Sequence, residues 1–443
     1  MFRLGVASSC FLAASVASAQ PGFVEQPARP PEPITAQPAP APDVDHAPLP
    51  GHESGRTDPI GDGDTASLEA ERIALTPVRW LAELTLTPVH GAITVWAHHR
   101  MSHQIGGLGD NKGVSFSVEP LLRVDSGYGI AGFTGGARVT VHDLLGQHEA
   151  FAAAAGGGAG GYLRQIYGAT LRSGHRLGDD VELALSGSYE DRPRDGFYGI
   201  GNTPAPVERF AQRRAATSLA GDVRIADDLH VVPSASLASD HYASPLDGMA
   251  RDASSADAAL ELRWDSEYSS GAWDPRWLPT SGTFAAIAVG RSHRLDAGPD
   301  FWRARVDAEQ LVRLGIGPRI LAFRLHGEEV STSDVPLPEL PALGGPMVLR
   351  GYALDEFRDR IAAVATVEYR WDLAEWMGAH VFVDAGRVAP ALDAFALGGM
   401  HAGYGGGVVL GRHGAVLDLA STLDGGFMLA ATIGTLPATA AAR

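Results

Sequence analysis

Arg350, in the run Leu349-Arg350-Gly351-Tyr352, and Asp384, in Val381-Phe382-Val383-Asp384-Ala385-Gly386, are the pair of residues with the most to offer chemically. A planar guanidinium fork meets a carboxylate through two parallel hydrogen bonds, a geometry Lys cannot reproduce, and it holds best where bulk water is partly excluded. One such pair could lock a long loop. That chemistry is electrostatic fastening rather than bond making, and the remaining candidates for bond making fail individually. His98, His99 and His103 have no carboxylate or cysteine close in sequence and read as solvated histidines rather than metal ligands. No Gly-x-Ser-x-Gly elbow or oriented Ser and His pair is present, and Gly156 to Gly161 lacks the Lys-Ser/Thr ending of a phosphate loop. The expectation is a protein that is not an enzyme and that has no cofactor and no metal site.

The elements that position the pair follow from compartment and periodicity. Arg3, the apolar stretch Leu4 to Val16 and the small residues Ala17-Ser18-Ala19 read as a secretory signal over residues 1–19. Cys10, the one cysteine, falls inside it, which leaves no disulfide or thiolate chemistry. Residues 20–66 are a Pro-rich spacer unable to bury a core. Residues 67–112 form a short periplasmic segment in which Thr76-Pro77 and Thr87-Pro88 offer helix starts, and Val89, Ile93 and Trp96 share a helical face. A net charge of -17 argues against nucleic acid as a partner. Past the signal, no apolar run is long enough for a spanning helix, so any membrane crossing is by strands.

From about residue 113 the period becomes two. Arg303, Arg305, Asp307, Glu309 and Arg313 alternate with Ala304, Val306, Ala308, Val312 and Leu314; Leu321, Phe323 and Leu325 oppose Arg324, His326 and Glu328. About sixteen such segments of roughly 10 to 14 residues suit an all-β, antiparallel outer-membrane barrel with a polar lumen over residues 113–436, followed by a tail at 437–443. They begin near residues 113, 127, 149, 161, 180, 206, 228, 254, 282, 300, 318, 360, 377, 399, 413 and 426. A secreted propeller or sandwich is the soluble alternative, and no blade-like repeat supports it.

This count puts Arg350 in a connection from about Ser331 to Arg360, far longer than a hairpin loop. Pro336, Pro338, Pro341 and Pro346 restrict it, and Gly344, Gly345 and Gly351 permit tight turns, so an ordered loop is expected. Alternation aims Glu368, Arg370 and Asp384 into the lumen as inner-wall partners. For the closing seam, Val114, Phe116 and Val118 alternate before Pro120 in the first strand, and Phe427, Leu429 and Ile433 share a face in the last.

Gly344-Gly345, Leu349-Arg350-Gly351-Tyr352, Glu368-Tyr369-Arg370 and Phe382-Val383-Asp384-Ala385-Gly386, in that order, resemble the bacterial surface antigen superfamily of BamA/TamA-type outer-membrane barrels. Phe197-Tyr198-Gly199-Ile200-Gly201-Asn202 is similar to a segment of one branch of the family. Asp274-Pro275-Arg276 with Pro279-Thr280-Ser281-Gly282 is similar to its mid-barrel periplasmic turn. The resemblance covers roughly residues 75 to 436 and implies an extracellular loop, 332–359, folded back into the lumen with Arg350 paired to Asp384. It implies insertion or export of polypeptides at the seam between first and last strands. Outer-membrane lipid, client polypeptides and a periplasmic accessory protein are the partners, the last because the sequence has no room for the family's periplasmic polypeptide-transport-associated domains. A plugged channel or binding barrel without assembly activity is the alternative reading; an outer-membrane hydrolase is a third.

Overall fold

The computed structural model describes residues 104–105, 114–125, 132–158, 164–244, 246, 250–266, 281–314, 319–374, 377–410 and 415–433. The signal, the spacer, the short helices with their histidines, Asp274 to Thr280 and the C-terminal tail lie outside the described residues.

Alternating faces of opposite character do produce strands. They are β1 Val114–Asp125, β2 Gly132–His142, β3 Ala150–Gly158, β4 Arg164–Arg172, β5 Val181–Phe197, β6 Glu208–Ala226, β7 Leu229–Ala243, β8 Ala250–Asp265, β9 Gly282–Arg294, β10 Phe301–Arg313, β11 Ile320–Val330, β12 Ile361–Ala374, β13 Met377–Ala389, β14 His401–Leu410, β15 Ala415–Thr422 and β16 Phe427–Ile433. Each pairs antiparallel with its neighbours in sequence, and β16 returns to β1, which closes the sheet. Closure leaves no open edge for lipid to satisfy, so the crossing is made by strands. The strands are less uniform than the sequence suggests: β6 has 19 residues and β16 only 7.

Register explains the two faces. Opposite Ile287 lies Val306, and opposite Val289 lies Ala304; all four point outward with the half-exposed Leu260, Leu262 and Phe323 toward lipid. The intervening Asp307, Glu309, Glu328, Glu368 and Arg370 are buried on the inside. Short turns such as Asp227–Asp228 alternate with long connections such as 331–360, and in barrels of this kind the short turns are periplasmic and the long loops extracellular.

Among the described residues the closing pair is the shortest in the ring. Of the described residues of β16, Ala430, Ala431, Thr432 and Ile433 find partners in β1, at Asp125, Val124, Arg123 and Leu122. By contrast β5 and β6 are paired along almost their whole length. The other end of β1 pairs instead with the two-residue strand Gln104–Ile105.

Candidate functional site in the barrel lumen

The connection between β11 and β12 has a structure of its own. Leu337–Glu339 makes a 3-10 turn, and Ala342–Leu343 pairs with Phe357–Arg358 as a small hairpin. Between the hairpin arms the chain doubles back tightly: Gly344, Gly345 and Gly351 have positive φ, and so does Leu349 at 56°. Left-handed backbone costs a leucine something that glycine avoids, so packing must hold Leu349 there. It does: Leu349 is buried with Leu343, Tyr352, Phe357, Ala362, Val364 and Val388.

That strained turn presents Arg350 to β12 and β13. Its Nε donates to Asp384 Oδ2 at 2.8 Å and one terminal nitrogen to Asp384 Oδ1 at 2.9 Å, while the other reaches Glu368 Oε2 at 3.0 Å. The Arg350 backbone N–H also donates to Asp384, at 2.9 Å, and Thr366 Oγ1 donates to the same carboxylate at 2.8 Å. Burial by itself would lower the Arg350 pKa; the hydrogen bonds and charge of Asp384, with Glu368, reverse this and raise it. The guanidinium further stacks over Phe382, 3.2 Å from the ring centroid.

Arg370, the third wall residue expected, does not touch Arg350 in the described contacts. Its Nε donates to Glu368 Oε1 at 2.7 Å and a terminal nitrogen to Glu309 at 3.3 Å, so it orients the carboxylate that Arg350 shares. Tyr352 donates to Asp424 at 3.2 Å and packs edge-on against Phe357 and His401. Burial first, then the Asp424 charge, push the Tyr352 hydroxyl pKa up. At the seam, Ile433 lies opposite Leu122, whereas Phe427 and Leu429 precede the paired stretch of β16, and Val114, Phe116 and Val118 precede that of β1.

Several residues were not marked by sequence. On β14 the inward positions next after His401 are glycines: a Cβ on Gly403 would run into the Arg350 carbonyl oxygen, and one on Gly405 would come within 2.8 Å of Phe382. Glu339 accepts from Arg214 at 2.8 Å and from Arg303 at 2.6 Å, on β6 and β10. Asn202 clamps the extracellular end. Its amide donates to the Gly399 carbonyl at 2.9 Å, its side-chain oxygen accepts from Val388 N–H at 3.1 Å, and its carbonyl meets His401 Nε2 at 2.8 Å. Beside it, Gly201 N–H donates to the Arg358 carbonyl at 2.8 Å. Glycines off the turns, a loop acid and a loop amide carry no periodic signal, although the Phe197 to Asn202 motif did single out the last.

A closed antiparallel barrel with an apolar belt, a charged lumen and a long extracellular loop folded into it is an integral outer-membrane barrel. The Omp85 superfamily domain matches residues 143–412, more than half of the chain, and the chain belongs to that superfamily. Among solved structures, BamA from Haemophilus ducreyi lacking POTRA domains 1-3 is similar at 12% identity and a TM-score of 0.53, over 76% of this chain and 75% of that one. CdiB from Acinetobacter baumannii is similar at 12% identity and a TM-score of 0.52, over 71% of this chain and 59% of that one. For CdiB from Escherichia coli the values are 11%, 0.50, 71% and 63%, so this chain spans less than two-thirds of either CdiB chain. At such identities the likeness is one of fold. No protein of curated function matches the sequence.

Proposed function

We propose that this barrel inserts polypeptides into the outer membrane or exports them across it. Loop 332–359 stays locked in the lumen by Arg350, and client segments meet the barrel at the β16–β1 seam. The observation that carries this reading is the four-residue pairing at the seam among the described residues, which leaves a closed barrel with one stretch that parts at small cost. Membership in the superfamily and the likeness to BamA and CdiB support it. A periplasmic accessory protein delivers clients to the short turns, and no catalytic step is involved.

The test is depletion of the protein, with the levels of all other outer-membrane and surface proteins followed by quantitative proteomics. Loss of a defined subset supports the reading, and unchanged levels throughout would sink it. A plugged channel or binding barrel without assembly activity is favoured by one observation, the continuous charged wall formed by Glu309, Arg324, Glu368 and Arg370 around the loop. Planar-bilayer recordings separate the two: large steady conductance marks an open pore, and small flickering conductance that grows in Arg350→Ala marks a plugged gate.

A further inference from the structure

The lumen loop stands on two feet, not one. The first is Leu337 and Leu340, buried with Phe197, Phe210, Tyr242, Ala253, Phe301 and Val330 from β5, β6, β7, β8, β10 and β11. At its centre Glu339, itself buried, is held by Arg214, which also bonds Asp240 at 2.9 Å, and by Arg303, which also faces Glu328 at 3.1 Å. The second foot is the Arg350 turn with its separate apolar cluster on β12 and β13. Arg358 joins the two feet, donating to the Leu337 carbonyl at 2.9 Å and pairing with Asp355 at 3.0 Å.

The polarities of the feet are opposite. The first is a loop carboxylate among wall guanidiniums, the second a loop guanidinium between wall carboxylates. Exchanging them would place Glu339 against Asp384 and Glu368, and Arg350 against Arg214 and Arg303, with like charges buried together. The ion pairs therefore specify which foot stands where, and they do so independently, because they share no residue.

We infer that Glu339 is a positioning residue forming a second lock on the loop, so that either lock alone keeps the loop seated and full clearance of the lumen requires both to open. From Arg214 on β6 to Asp384 on β13 is seven steps around the ring, so the doubly anchored loop braces one side of the barrel. The seam lies outside the braced span, and shape change is directed there. This extends the reading of the loop given above, but its test needs no client, so failure of client assays and failure of the second lock are distinguishable.

The test places a spin label at Ser333→Cys or Met347→Cys, one beside each foot, in full-length protein carrying Cys10→Ser and refolded into vesicles. Glu339→Gln is expected to mobilise the label at residue 333 and not that at 347, and Arg350→Ala the reverse. The double variant is expected to mobilise both and to raise bilayer conductance beyond the product of the single effects, with coupling of about tenfold, typical of residues sharing one structural unit. Should Glu339→Gln not reach the compact, heat-modifiable folded form on gels, Arg214→Gln with Arg303→Gln opens the same foot from the wall side. The second lock is overturned if opening the first foot leaves residue 333 immobile, if it mobilises residue 347 equally, or if the double variant conducts no more than Arg350→Ala.

Discussion

Gly403 on β14 lies directly under the Arg350 carbonyl, with no room for a Cβ between them. The lock at Arg350 depends on this gap as much as on its ionic partners, since a side chain here would lift the turn away from Asp384. Gly403→Val is therefore expected to cost about 1–3 kcal/mol of loop seating through overpacking. Hydrogen exchange at the Arg350 amide, which is bonded to Asp384, should speed up by about 5-fold to about 150-fold. Gly398→Ala, where a Cβ meets nothing within 4 Å, is the neutral control.

Removing the guanidinium takes the cationic partner from buried Asp384 and leaves Glu368 to Arg370 and Arg324. Arg350→Ala is expected to lose about 3–5 kcal/mol, as for other buried pairs broken on one side. Arg350→Lys should recover only a small part, because an ammonium cannot span Asp384 and Glu368 while stacking on Phe382. Urea unfolding from vesicles measures both. The charge swap Arg350→Asp with Asp384→Arg should restore nothing, since Glu368, 3.0 Å from the native guanidinium, would then face the new aspartate. Recovery in the swap would show that Glu368 does not share the lock.

Asn202 ties the β5–β6 connection to the β13–β14 connection, so Asn202→Ala deletes two side-chain hydrogen bonds at about 1 kcal/mol each. The Val388 amide loses its acceptor, and its exchange is expected to rise while amides of the periplasmic turns do not change. An equal rise at both ends would indicate global destabilisation instead.

Glu149, in the periplasmic turn between β2 and β3, gives a pH dependence. Burial raises its pKa, but the Gln147 and Leu145 N–H groups and Arg176 outweigh that and bring it from 4.5 down to about 2. Because the folded pKa is the lower, its stabilising contribution is complete above about pH 4.5 and disappears as pH falls toward about 2. Glu149→Gln should lose about 1–2 kcal/mol at neutral pH and flatten the acid limb of the unfolding midpoint. An acid limb identical in the variant and the parent would assign that limb to other carboxylates.

The lumen wall was legible because alternation in a strand is a local rule: Glu368, Arg370 and Asp384 face inward whatever lies around them. The length and the Pro and Gly content of 331–360 likewise announced an ordered loop. Glu339 was overlooked for the opposite reason. A single acid in a proline-rich turn has no period, and its partners Arg214 and Arg303 lie 125 and 36 residues away in sequence. Phe382 alternates onto the same face as Asp384, yet its contact with Arg350 depends on where the loop comes to rest.

Sequence by itself determined that there are sixteen strands, roughly where each begins, which of their faces meets lipid, and which connection carries the Arg350 turn. These follow from side-chain chemistry repeated at a period of two and from the absence of apolar runs long enough for a helix. Tertiary structure decided the register at which β16 meets β1, the sharing of Glu368 between Arg350 and Arg370, the glycine floor under the loop and the opposed charges of its two feet. Those are set when the ring closes, because closure brings together strands hundreds of residues apart at a stagger that no local pattern encodes.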